Sequence, residues 1–289
     1  MIGDIMAIAC PHCGSCNAPA YVINARRQLN LFTDEEVEHY IDNVFHGIIN
    51  VRNLSPMVYK RVAEKLTEGV YNGFGKTIDG VQWDSPDFNM LYDLRENTYI
   101  FSAAKQYQEV RAMSALLTKD GGTKLAMYNE FKKEAFKIFT DYNDNWLRAE
   151  YQSAMMQAKS ASQWMEIVAN VKELPMLTYH TVGDGRVRPE HAAMDGVTRP
   201  VEDKWWNRFM PPNGWNCRCT VMQSDDALKT PLKDIKVENV PEIFQFNPGK
   251  ARIVFSNQHP YYDVAAKDKD FARTNFNLPL PGRMPGVKK

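Results

Sequence analysis

Hydrophobic residues recur every three to four positions through most of the first 171 residues, which is the spacing of amphipathic helices. Thr33 and Glu36 have capping-box spacing, and Ser55-Pro56 and Ser85-Pro86 each combine an N-cap residue with a first-turn proline. Asn143–Asn145 is a point where the last helix bends or breaks. The predicted helices cover 33–48, 55–70, 85–117 and 123–171.

After Pro175 the pattern changes to short β-prone runs separated by turns. The predicted strands are Leu177–Val182, Val197–Val201 and Cys217–Gln223, with a short helix at Pro189–Met194. We therefore predict an α+β fold, with long helices in the N-terminal half followed by a small mixed α/β module and a loop-rich tail.

Changes of composition predict four consecutive segments. From Phe271 onward the chain is polar, basic and rich in proline and glycine, so we expect an extended tail. The segments are an N-terminal cysteine-containing arm (1–32), a helical domain (33–171), the mixed module (172–265) and an extended basic tail (266–289).

The charges of this 289-residue chain balance, with 35 Lys and Arg against 35 Asp and Glu. Such a balance gives no overall attraction to nucleic acid or to a membrane surface. The sequence has no run of roughly 20 apolar residues, and its first residues do not resemble a signal peptide. We expect a protein made and used in the cytoplasm, or packaged from there, with no membrane partner.

The five cysteines form two close clusters, which indicates metal ligation or free thiols more than a disulfide framework. Cys10, Cys13 and Cys16 are each separated by two residues, the Cys-x2-Cys spacing of half a zinc knuckle. The alternative is that this arm is unstructured or merely packed. Cys217 and Cys219 complete a zinc site with it only if the fold brings the arm to them.

His191, Cys217 and Cys219 form the sharpest constellation, because zinc takes imidazole and thiolate ligands. A fourth ligand has no obvious position, the candidates being His180, Asp184 and Asp195. The alternative is that both cysteines are small buried hydrophobic residues and His191 hydrogen-bonds a loop carbonyl. No cofactor is therefore predicted, with zinc as the alternative.

Arg186 and Arg188 lie among turns together with Asp184 and Asp195. The forked guanidinium groups of such arginines brace loops or, as the functional alternative, capture an anion. No nucleophile elbow, phosphate-binding loop or zinc-protease motif is present. A cysteine–histidine dyad is less expected than packing, so the residues predict no catalytic site. The expected structural cluster is Asp184, Arg188, His191, Asp195, Cys217 and Cys219.

Two strings in this region resemble the Mu-F-like phage head morphogenesis family, also described as minor capsid proteins. They are T-x-x-D-x-R-V-R-P-x-H-x-x-x-D-G (Thr181–Gly196) and W-x-x-F-x-P-P-x-G-W-N-C-R-C (Trp206–Cys219). Gln163-Trp164 and Asn247-Pro248-Gly249 also fit the family, so the resemblance covers about 145–255. It identifies 172–265 as the head morphogenesis module.

The resemblance implies a structural minor head protein of a tailed phage or prophage, acting in procapsid assembly at the portal or inside the head. It implies portal protein and major capsid or scaffold protein as partners, and no enzymatic activity. Separately, the basic tail indicates weak contact with packaged DNA, since the balanced overall charge argues against tight binding. Some relatives carry Cys-x-x-Cys at the positions of Arg188 and His191. There the two cysteines would complete a four-thiolate zinc site with the Cys-x-Cys pair. In this chain Arg188 replaces one of these ligands and His191 the other. A metal-dependent, nuclease-like enzyme using the His/Cys cluster is the alternative function.

Overall fold

The computed structural model describes residues 31–119, 124–226, 228–236 and 240–282. The four predicted helices are present, but the one predicted from residue 123 begins only at Tyr128, because Lys124–Leu125 pairs as a strand. This last helix is divided by a π-helical turn at Asp141–Trp146, where the asparagines predicted a bend. Thr33 caps the first helix: its Oγ1 accepts the Glu36 N–H at 3.2 Å, and the Glu36 carboxylate accepts the Thr33 N–H at 2.9 Å. The long helices are α1 (Asp34–Phe45), α2 (Pro56–Phe74), α3 (Pro86–Ala115), α4 (Tyr128–Thr140) and α5 (Leu147–Ala169).

Short elements follow α5, and they confirm the predicted α+β class. β3 (Met176–His180) is the central strand of an antiparallel sheet, with β4 (Thr198–Pro200) on one side and β5 (Thr220–Ser224) on the other. In this sheet Leu177 pairs with Arg199 of β4 and with Gln223 of β5. A separate two-stranded pair, β1 (Thr118–Lys119) and β2 (Lys124–Leu125), precedes α4. The later elements are β3 (Met176–His180), α6 (Pro189–Ala192), β4 (Thr198–Pro200), α7 (Trp206–Phe209), β5 (Thr220–Ser224), α8 (Pro248–Ala251) and α9 (Lys269–Arg273).

Two local predictions differ from the structure. The strand expected at Cys217–Gln223 begins only at Thr220, so both cysteines lie in irregular chain before it. The tail expected to be extended instead forms α9 and a helical turn at Asn275–Asn277, because Phe276 and Leu278 are buried and hold it. None of the helices in the described ranges is long and apolar enough to span a bilayer.

The chain forms two compact units that interleave along the sequence. In one, the described residues fall within 68–94 and 152–258, which include the three-stranded sheet. In the other, they fall within 31–67, 95–151 and 259–282, and this unit is helical. The domain boundaries at 33, 172 and 266 mark changes of composition and stay a prediction.

The helical unit encloses charged side chains, since residues 101–110 of α3 are all buried. Lys105 Nζ donates to Glu150 Oε2 at 2.5 Å, and Tyr261 Oη donates to Glu150 Oε1 at 2.8 Å. Burial lowers the pKa of Lys105, although the Glu150 carboxylate opposes that shift. This ion pair is therefore desolvated, and protein groups take the place of the water molecules around it.

Glu109 lies one helical turn from Lys105 and is also buried. Its Oε1 accepts the Asn143 amide at 2.9 Å, while Oε2 has no hydrogen-bond partner among the described residues. Burial raises the pKa of Glu109 to about 8, against the opposing attraction of Lys105. The neutral acid is thus the form that the fold favours.

We predict that Glu109→Gln, which mimics the neutral acid, flattens the dependence of stability on pH. The folded pKa of Glu109 lies above the unfolded one, so the native state binds the extra proton and the free energy of unfolding falls between about pH 4.5 and pH 8. The variant should be more stable than wild type by a few kcal/mol at pH 9. Denaturant titrations across this range measure it.

The exposed Glu64 on α2 provides the control for this measurement. Glu64→Gln should leave the pH dependence as it is in wild type, because that carboxylate already faces water. Parallel pH curves for Glu109→Gln and wild type would contradict the prediction.

Candidate functional site

The site lies in the unit that contains the sheet, where α5 fixes an irregular segment. Ser160 Oγ donates to the carbonyl oxygen of Pro211 at 2.6 Å, and Gln157 Nε2 donates to that of Pro212 at 3.3 Å. The Pro211–Pro212 peptide bond is cis. Side chains of one helix therefore set the course of the chain into the following Asn213-Gly214 turn.

His191 projects from α6 toward this segment and is 2% exposed. Its Nε2 lies 3.3 Å from the carbonyl oxygen of Asn213. A carbonyl oxygen only accepts, so Nε2 carries a hydrogen, which leaves Nδ1 as the nitrogen that can present a lone pair. Nδ1 lies 3.6 Å from Cys217 Sγ and 3.6 Å from Cys219 Sγ.

Cys217 and Cys219 are both buried and lie beside His191. The hydrogen bond from Cys219, assisted by His191, holds the pKa of the Cys217 thiol well below its usual range. The same hydrogen bond, together with burial, raises the pKa of Cys219. The two sulfurs and Nδ1 of His191 all lie within 4.8 Å of one another, so these three residues are placed to hold a metal ion.

Arg188 holds the same loop as His191. Its Nη2 donates to the carbonyl oxygen of Trp215 at 2.6 Å. A Cβ added to Gly214 would lie 3.1 Å from Arg188 Nη1 and 3.6 Å from the ring of His191. The glycine therefore allows the arginine and the histidine to approach the loop backbone together.

The two aspartates of the predicted cluster brace loops around the His/Cys group. Asp184 accepts two hydrogen bonds from Arg218, at 2.7 and 2.8 Å, and this half-exposed fork lowers the pKa of Asp184. Asp195 Oδ1 accepts the Thr181 N–H at 2.7 Å. Neither carboxylate joins the His/Cys group, and His180 instead pairs with Thr220 in the sheet.

Tyr179 and Asn213 are site residues that the sequence analysis missed. Tyr179 Oη donates to Asn213 Oδ1 at 3.0 Å, and Asn213 Nδ2 donates to the carbonyl oxygen of Met210 at 3.3 Å. Both residues are fully buried, and burial raises the pKa of Tyr179. The asparagine thus links β3 to the carbonyl that orients His191. The Asn213-Gly214 turn signal was visible, but not this partner.

A cleft opens beside the His/Cys group and is rich in arginine. Its lining residues are Val182, Arg186, Val187, Arg188, His191, Asn216, Cys217, Arg218 and Cys219.

The second predicted cluster, Cys10, Cys13 and Cys16, lies outside the described residues, and its role stays a prediction.

The more distant parts of the family-like pattern also meet in this unit. Gln163 Nε2 donates to the carbonyl oxygen of Val221 at 2.9 Å, tying α5 to β5. A Cβ added to Gly249 would lie 2.4 Å from Trp164 Cβ. Lys250 Nζ lies 4.8 Å from the centroid of the Trp164 ring. These contacts place α8 directly against α5.

Comparison with known proteins agrees with this pattern. Residues 102–222 match the model of the family described as phage Mu protein F like protein. The putative capsid assembly protein F of Escherichia phage Mu is 39% identical over 64 residues, which are 22% of this chain and 15% of that protein. The FluMu F protein of a Mu-like prophage of Haemophilus influenzae is 35% identical over 75 residues, 26% of this chain and 18% of that protein.

The chain therefore spans less than a fifth of the length of these two relatives in the matched segments. No solved structure matches it. The family match begins within α3 and ends within β5, so it includes His191, Cys217 and Cys219. Through this segment, which carries the residues of the site, the chain is similar to phage Mu protein F-like proteins.

Proposed function

We propose that this protein is a minor head protein of a tailed phage or prophage that acts structurally in procapsid assembly. The observation that carries the proposal is the family match over residues 102–222, together with a relative named as a putative capsid assembly protein. The protein acts at the portal or inside the head, first in the host cytoplasm and then in the virion. Its partners are the portal protein and the major capsid or scaffold protein.

The bonding of the site supports a structural role rather than an enzymatic one. Arg188 and His191 both bind carbonyl oxygens of the segment 213–215, and Asp184 and Asp195 hold neighbouring loops. Polar side chains used in this way fix backbone. The module then offers partners a preformed surface, which limits the entropy lost on binding.

The test is deletion of the gene from its phage or prophage, with wild-type protein supplied in trans as the control. We expect few DNA-filled heads without the protein and full recovery with it, counted by electron microscopy and plaque titre. Affinity-tagged protein from infected cells should also carry portal, capsid or scaffold protein with it. Normal titres from the deletion strain would overturn the proposal.

We also propose that the basic tail (266–289) contacts packaged DNA weakly. Such contact is electrostatic, so a gel shift with duplex DNA should appear at low salt and vanish as salt rises. A shift that does not respond to salt, or the lack of any shift at low salt, would remove this part of the proposal.

A further inference from the structure

We propose that His191, Cys217 and Cys219 bind a zinc ion in the sheet-containing unit. The proposal concerns the chemistry of three buried side chains and does not depend on a role in head assembly. Nδ1 of His191 and the two sulfurs converge within 4.8 Å of one another. Nitrogen and thiolate sulfur are the ligand types that zinc prefers.

The distances between the ligand atoms fit a tetrahedral ion. With Zn–S of about 2.3 Å and Zn–N of about 2.0–2.1 Å, tetrahedral geometry separates sulfur and nitrogen by roughly 3.5–3.6 Å. His191 Nδ1 lies 3.6 Å from each of the two sulfurs. A single nitrogen lone pair accepts one good hydrogen bond, whereas one metal ion uses all three atoms.

The surroundings of His191 are those of a metal ligand. Its Nε2–H donates to the carbonyl oxygen of Asn213, which fixes the tautomer and turns the Nδ1 lone pair toward the sulfurs. Asn213 is itself held by Tyr179 Oη at 3.0 Å. The ring thus needs no rearrangement to coordinate, and the orientation is already built into the loop.

The irregular chain before β5 allows both sulfurs of the Cys-x-Cys pair to reach one ion. Alternate residues of a regular strand project side by side from one face, whereas these two sulfurs must converge on one point. Asn216 has a φ of 54°, and the Cys217 N–H donates to the carbonyl oxygen of Gly214 at 3.2 Å. This turn brings both sulfurs to the same nitrogen.

The fourth ligand comes from the cleft that the three residues line. Two thiolates neutralise the charge of Zn²⁺. Arg186, Arg188 and Arg218 line the same cleft, and the single carboxylate of Asp184, which pairs with Arg186 and Arg218, leaves a net positive charge among these four groups. These guanidinium groups favour a water-derived hydroxide or a small anion at the open position. The site therefore differs from a four-thiolate site, since one ligand is exchangeable.

The test must separate this site from the other cysteine cluster of the chain. The full-length protein carrying Cys10→Ser, Cys13→Ser and Cys16→Ser retains Cys217 and Cys219 and serves as the parent. We expect one zinc per chain by elemental analysis after purification in zinc-containing medium and extensive dialysis. Adding Cys217→Ser and Cys219→Ser should reduce zinc to background, and Cys217→Ser alone, which removes one ligand, should weaken retention of zinc.

A second measurement uses only the folded parent, so its result does not depend on whether the cysteine variants fold. X-ray absorption at the zinc edge should show two sulfur ligands, one imidazole and one further nitrogen or oxygen. Replacement with Co²⁺ should give the visible bands of a tetrahedral thiolate site. A folded parent without zinc, zinc that survives loss of both cysteines, or a coordination shell without two sulfurs would each overturn the proposal.

Discussion

Replacing Lys105 with methionine should lower the free energy of unfolding by about 3–5 kcal/mol. The ammonium group and its partner Glu150 are 1% and 3% exposed, so removing the cation leaves a carboxylate in the interior without its counter-charge. Denaturant unfolding followed by circular dichroism measures the loss.

The double variant Lys105→Met/Glu150→Gln separates the cost of the orphaned charge from the loss of packing. The amide oxygen still accepts the hydrogen bond from Tyr261, and no charge remains to be desolvated. We expect the double variant to be more stable than Lys105→Met alone. Lys137→Met, which breaks an exposed pair with Glu134, should cost less than about 1 kcal/mol. Equal losses for Lys105→Met and Lys137→Met would contradict this account of the core.

These buried charges mark the limit of what helical periodicity predicts. Spacing located α1 to α5, because apolar positions repeated every three to four residues and capping signals marked the starts. It did not show that residues 101–110 of α3 are all buried, with Lys105 and Glu109 among them. Their partners Glu150 and Asn143 lie more than thirty residues away. A long-range pairing of this kind leaves no local signal.

At the site, too, residue types predicted which residues take part but not the contacts between distant segments. Residue types alone indicated His191, Cys217 and Cys219, and the structure brings these three together. Asp184 and Asp195 shared the same segment but are used for loop bracing. Which polar residue meets the cysteines depends on how Gln157, Ser160 and Arg188 hold the segment 211–215, and residue types do not show these distant contacts.

Replacing Gly249 with alanine should cost about 3 kcal/mol or more, since the close approach of α8 to α5 leaves no space for a methyl group. The added Cβ would lie 2.4 Å from Trp164 Cβ, and that atom is fixed by the backbone of α5. A rotation of the indole ring therefore cannot relieve the overlap. Gly185→Ala is the matched control, because an added Cβ there has no neighbour within 4 Å.

The Gly249→Ala result also decides how far the folded unit of the family-like segment extends. The family match ends at residue 222, whereas Gly249 packs on Trp164, which lies inside the match. If α8 is an integral part of that unit, Gly249→Ala lowers the stability of the sheet region, and limited proteolysis cuts it faster than wild type or Gly185→Ala. A free energy of unfolding within about 0.5 kcal/mol of wild type would show instead that the packing of α8 on α5 contributes little to the stability of that unit.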